Sequence, residues 1–316
     1  MQTLQRVNAW MTPRMPLLIV IMLALGVLFP GQVGLLCPYV TALMIFQTFA
    51  NSLGAGISDL LRALRHPKPV LLTLAALHVL MPLIALGIGS VLFPDQPFYT
   101  LSLVLEEASP AAVSSLMWIV IGGGNVELCL SIILLDTVLS PIVLPMTLRL
   151  LCGSAVSLDI AGMMKDLLIM VVVPAATAMV LHRILGKDVC TRMKARISVF
   201  PKFALLLLIG ANVTRCVPFL RQLDGTLVVL TVLTLFMRIL GLVVGWSISR
   251  LAKFPYSGKL TVTVNSSMRN NAAAATLAAQ YFPPEAVFSP SISPMFSQLC
   301  VSVAVKLLMR HQPRQS

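Results

Sequence analysis

Asn265-Ser266-Ser267-Met268-Arg269-Asn270-Asn271 interrupts an otherwise apolar stretch, and its reading decides the fold. Five of its seven side chains are uncharged polar groups and a sixth is a guanidinium. A helix facing lipid would leave every one of them unsolvated, so this run must be buried against protein or line a polar cavity. About 160 residues earlier stands Glu106-Glu107-Ala108-Ser109-Pro110, followed by Ser114-Ser115. Pro110 has no amide hydrogen and breaks the helical ladder. Both glutamates are ionisable groups inside an apolar segment. Two interrupted spans at corresponding places in the two halves of a chain are the sequence mark of a binding site near the bilayer midplane.

The surrounding composition requires a bilayer. Hydrophobic residues make up 58% of the 316 residues and charged residues 11%, with a mean hydropathy of +0.93. A soluble domain needs far less apolar surface and more charge. A crossing helix takes about 20 apolar residues. Ten candidates follow: 16–29, 35–53, 69–92, 98–121, 126–151, 164–185, 198–219, 226–251, 260–282 and 286–309. Loop charge orients them. With both termini in the cytoplasm, 17 Lys and Arg fall inside and 4 outside, leaving Arg238 and Arg269 within spans. The net charge of +12 therefore reads as topological anchoring, and nucleic-acid binding is excluded. An uncleaved first helix, a multi-pass protein and a bacterial inner membrane are the expected setting.

Spans three, four and five begin about 160 residues before spans eight, nine and ten. Each unit holds five spans, an odd number, so the second enters from the opposite side. The expected fold is all-α, with inverted repeats at 1–153 and 154–316. Cys37, Cys129, Cys152, Cys190, Cys216 and Cys300 are scattered without CxxC or His spacing, so neither disulfide nor metal is expected. No HExxH, nucleotide loop or nucleophile elbow occurs, and an enzyme is not expected.

The blocks ASPAAVSSLMW (108–118), GGGNVELCLSI (122–132), LDTVLSPIVLP (135–145) and VNSSMRNNAAAATLAAQYF (264–282), with Met81-Pro82 in span three, give the chain a resemblance to the bile acid:sodium symporter family. The resemblance implies crossing, broken helices four and nine. It also implies a panel of spans one, two, six and seven, and a core of spans three to five and eight to ten. Substrate would bind between the two. Family members bind two sodium ions, and here the pattern departs. The span-nine Glu falls at Asn265 and the following Gln at Arg269. The Ser-Asn pair of span four falls at Ser114-Ser115, the hydroxyl residues of span five at Cys129 and Ile133, and the span-three Gln at Leu77, beside His78. Sodium needs oxygen ligands and a balancing carboxylate, so both sites are expected to be lost or weakened.

The expected activity is alternating-access transport of a small organic anion, without cofactor. A non-transporting sensor or scaffold and a channel or exporter relative are the other readings. Ser109, Ser114, Ser115, Asn265, Arg269, Asn270, Asn271, Ser291 and Ser293 are candidate substrate contacts. Glu106, Glu107, His78 and Asp136 are candidates for ion or proton coupling. Arg269 is expected to pair with Glu106 or Glu107, as a fixed substitute for a cation or as the anchor of a substrate carboxylate. Arg238 is expected to pair with Glu127 or Asp136.

Overall fold

The computed structural model describes residues 2–56, 67–154, 156–220 and 225–310, and among them it is helical throughout with no strand longer than a single bridge. In chain order the helices are α1 (Gln2–Leu28), α2 (Pro30–Ser52), α3 (Pro67–Leu92), α4 (Pro97–Ala108), α5 (Ser115–Gly122), α6 (Val126–Cys152) and α7 (Ile160–Leu185). They continue as α8 (Lys187–Ile197), α9 (Phe200–Thr214), α10 (Gly225–Leu251), α11 (Tyr256–Asn265), α12 (Asn271–Tyr281) and α13 (Pro284–Met309).

Seven of these are long and apolar enough to cross a bilayer, and an eighth crossing arises if α8 and α9, bent by 52°, act as one. Leu28, Leu71, Val91, Leu150, Val228 and Val303 stay more than half exposed on them, a lipid-facing surface rather than a solvated one. The remaining apolar segments, α4 with α5 and α11 with α12, are each divided into two short helices. The first helix runs through Pro13 and Pro16 and starts well before the expected span at residue 16.

Local sequence explains the ends. The Asn125 side chain accepts the Leu128 amide at 2.9 Å and opens α6. Asp159 does the same for α7 through the Gly162 amide at 2.9 Å. Gly123 closes α5 with φ of 73°, a left-handed conformation that costs glycine little. Within α3 and α7 single π turns occupy Ala76–Leu80 and Leu168–Val172. Each stands just before a proline, Pro82 and Pro174. A proline ring clashes with the carbonyl four residues back, and one extra residue in the turn relieves that clash.

The largest buried apolar cluster draws on α2, α3, α4, α6, α7, α9, α10, α12 and α13, with Met81, Leu103, Leu144, Leu208 and Leu277 among its buried members. Against one side of the α11–α12 break lies α10, at its Gly241-x-x-x-Gly245 spacing. A Cβ at Gly245 would stand 2.8 Å from Thr263 Cα, and one at Gly241 would stand 2.9 Å from the Ser266 carbonyl oxygen. The absence of side chains there lets the two backbones touch, and this contact brings Arg238 to the break.

Candidate functional site

The two interruptions meet. After α4 the chain is extended at Ser109, and Ala111 forms an antiparallel bridge with Arg269. The Ala112 amide donates to the Met268 carbonyl at 3.0 Å, and the Asn270 amide donates to the Pro110 carbonyl at 2.7 Å. Unwound backbone at membrane depth thus finds its partners in the other break. Asn270 then caps α12, its side-chain oxygen accepting the Ala273 amide at 3.2 Å.

Charged side chains converge on this junction. Glu106 and Glu107 occupy the last turn of α4, where the helix dipole is negative and a carboxylate needs compensation. Both are buried and pair with arginines from α10 and from the second break. Arg238 Nε lies 3.2 Å from Glu106 Oε1, and one of its terminal nitrogens donates to Glu107 Oε1. Glu107 Oε2 accepts from Arg269 at 3.3 Å. Arg238 also donates to the Ser267 carbonyl at 2.5 Å, and the Ser267 hydroxyl donates to the Arg238 carbonyl at 2.7 Å. Among the described residues, Nε and the other terminal nitrogen of Arg269 are buried and have no hydrogen-bond partner.

His78 and Asp136 form a second group. His78 Nε2 lies 2.5 Å from Asp136 Oδ1, and Asp136 Oδ2 accepts the Ala111 amide at 2.7 Å. One carboxylate therefore joins α3 to the extended stretch that pairs with Arg269.

The polar candidates divide. Asn271 donates to the Ser293 hydroxyl at 3.1 Å and approaches Ser297 at 3.5 Å, linking α12 to α13. Ser291 is buried on the same helix, and Ser293 stands beside Glu106. Ser115 donates to the Asn265 side-chain oxygen at 2.9 Å, and the Asn265 amide donates to the Thr261 carbonyl at 3.0 Å. Ser109 turns back to the Leu105 carbonyl of its own helix at 2.8 Å, and Ser114 is exposed at the start of α5. The structure thus gathers Glu106, Glu107, Arg269, Asn271 and Ser293, and leaves Ser109 and Ser114 apart from them.

Sequence reasoning misplaced Arg238. It pairs with Glu106 and Glu107, not with Glu127 or Asp136. The signal was present: two adjacent buried acids need two cations, and Arg269 supplies only one.

A sodium ion does not fit the residues present at the expected ligand positions. Leu77, Cys129 and Ile133 pack into one apolar cluster with Ala112 and Met268. The oxygens of Ser115 and Asn265 are engaged with each other, and Arg269 brings a fixed positive charge.

Two interrupted segments that pair at membrane depth are the arrangement in which membrane transporters build their binding sites. The chain belongs to the sodium bile acid symporter family, whose model matches residues 40–218. It is similar to YbaS of Bacillus subtilis (strain 168), with 34% identity over 301 residues, covering 94% of this chain and 97% of that protein. It is also similar to YocS of the same organism, named a sodium-dependent transporter, with 22% identity over 289 residues, 90% of this chain and 87% of that one. A third relative, from Oryza sativa subsp. japonica, is named "Probable sodium/metabolite cotransporter BASS2, chloroplastic" and is 22% identical over 291 residues, 91% of this chain and 68% of that protein.

Proposed function

We propose that the chain carries a small organic anion across a bacterial inner membrane by alternating access, without the two sodium sites of its family. In this reading α4 with α5 and α11 with α12 are each one broken span. Ten spans then form two inverted repeats, 1–153 and 154–316, with both termini cytoplasmic. Spans three to five and eight to ten move against spans one, two, six and seven. Arg269 anchors the anion, with Asn271, Ser291 and Ser293 as polar neighbours. Arg238 and Glu106 hold the crossing as a fixed ion pair.

One observation carries this reading: two nitrogens of the Arg269 guanidinium are buried and unpartnered at the junction of the breaks. An unmet charged donor costs several kcal/mol in a site without water. A carboxylate accepts a charge-assisted hydrogen bond from a guanidinium N–H. The apolar surroundings of Leu77, Cys129 and Ile133 support the absence of sodium coupling.

The test is counterflow of labelled pyruvate, citrate and cholate in proteoliposomes, in sodium-free buffer. Losing one charge-assisted hydrogen bond, at about 1.5–3 kcal/mol, lowers affinity about 10- to 100-fold. Arg269→Ala is expected to show that loss for whichever probe the wild-type protein exchanges. Unchanged affinity in the variant, or exchange by the wild type only when sodium is present, refutes the proposal.

A further inference from the structure

The π turn of α3 carries a group that the anion reading leaves without a task. His78 sits within Ala76–Leu80, its side chain 8% exposed, and it meets a wholly buried Asp136. An ionised carboxylate only accepts hydrogen bonds, so a neutral imidazole must present its proton on Nε2. That leaves Nδ1 as an open base. Nδ1 is buried and, among the described residues, has no partner.

The charges at the junction show what such a base could do. Glu106, Glu107 and Asp136 face Arg238 and Arg269, so one negative charge is uncompensated while His78 is neutral. An anion arriving alone would double that excess in a low-dielectric region. An anion arriving with one proton would leave it unchanged. The π turn packs against the rest of α3, against α4 and against α6, while α10 and α11 touch the first half of α3. The other titratable or charged groups on these elements are Lys68 on α3, Tyr99, Glu106 and Glu107 on α4, Glu127, Cys129, Asp136, Arg149 and Cys152 on α6, Arg238 and Arg250 on α10, and Tyr256 and Lys259 on α11. Both α4 glutamates are engaged by arginines, and Asp136 alone of these groups contacts the imidazole.

We infer that His78 and Asp136 form a proton-binding site that takes up one proton with each singly charged anion. This rests on the anion reading of Arg269. The link is physical: Asp136 holds the Ala111 amide, and Ala111 is bridged to Arg269. Proton and anion then raise each other's affinity by the same factor.

The full chain in proteoliposomes provides the test, with counterflow of labelled pyruvate, citrate and cholate from pH 6 to pH 8 in sodium-free buffer. A lumenal dye follows protons during net uptake. For a singly charged probe that exchanges, the wild-type half-saturating concentration rises with pH over this range, and one proton enters per anion. In His78→Gln the affinity no longer changes with pH and lumenal acidification is lost. Asp136→Asn, which keeps an acceptor for the Ala111 amide, shows the same loss of pH dependence. Equal pH dependence in both variants and the wild type overturns the proton site and leaves the anion reading standing. Wild-type affinity that responds to sodium but not to pH does the same. If no probe exchanges at any pH, with or without sodium, both readings fall.

Discussion

Replacing Arg238 by methionine removes the cation that lies between Glu106 and Glu107 and keeps much of the side chain's volume. Arg238 is fully buried, 3.2 Å from Glu106 and 2.5 Å from the Ser267 carbonyl. Glu107 retains Arg269, but Glu106 loses its ion-pair partner. Breaking a buried pair by removing one member costs roughly 3–5 kcal/mol. The lost bond to Ser267 adds on the order of 1 kcal/mol, and protonation of Glu106 returns a similar amount. A net loss of about 4 kcal/mol, at roughly 2 °C per kcal/mol for a chain of this length, lowers the apparent Tm by about 8 °C. Thiol-reactive fluorescence in detergent suits the measurement, because Cys129, Cys152, Cys190 and Cys216 are buried free thiols that become reactive on unfolding. Adding Glu106→Gln removes the stranded charge and is expected to recover about half of the loss. A single variant within about 1 °C of wild type, or a double variant no more stable than the single one, refutes the assignment of Arg238 to these acids.

Two further outcomes follow from the same geometry. Gly245→Ala places a Cβ under 3 Å from Thr263 Cα and Ser266, so α10 must withdraw from the break; overpacking of this kind costs about 1–3 kcal/mol. A lower Tm with reduced uptake is expected, and a fully active variant of wild-type stability contradicts the close approach. Asn265→Glu restores a carboxylate at one expected sodium position but leaves Leu77, Cys129 and Ile133 apolar. Sodium is therefore expected to give no thermal stabilisation of this variant beyond that of the wild type, and a sodium-specific rise in Tm argues the reverse.

The breaks were legible because they violate the pattern around them. Polar runs at 106–115 and 265–271 have no place in a lipid-facing helix, and the chain departs from helix at both. The expected pair of Arg269 with a span-four glutamate is present through Glu107. What sequence could not give was the partner of Arg238, because choosing among four acids requires the crossing of α10 over the break, which Gly241 and Gly245 allow. Nor did it give the aim of His78. Met81-Pro82 was visible in the sequence, but its consequence, an extra residue in the turn before it, appears only in three dimensions. The contrast between ten expected spans and seven long helices has a physical source too: a broken span is by nature made of pieces too short to cross alone.

The register of the paired breaks also decides where proline is admissible. At this junction position 110 contributes only a carbonyl, so the imino acid found there forfeits nothing to its neighbour. Positions 112 and 270 each contribute an N–H. A pyrrolidine ring at either would erase one of the two backbone rungs, Ala112 N–H to Met268 and Asn270 N–H to Pro110, that join the two breaks. Drift in this stretch is thus filtered by backbone chemistry before any side chain is considered.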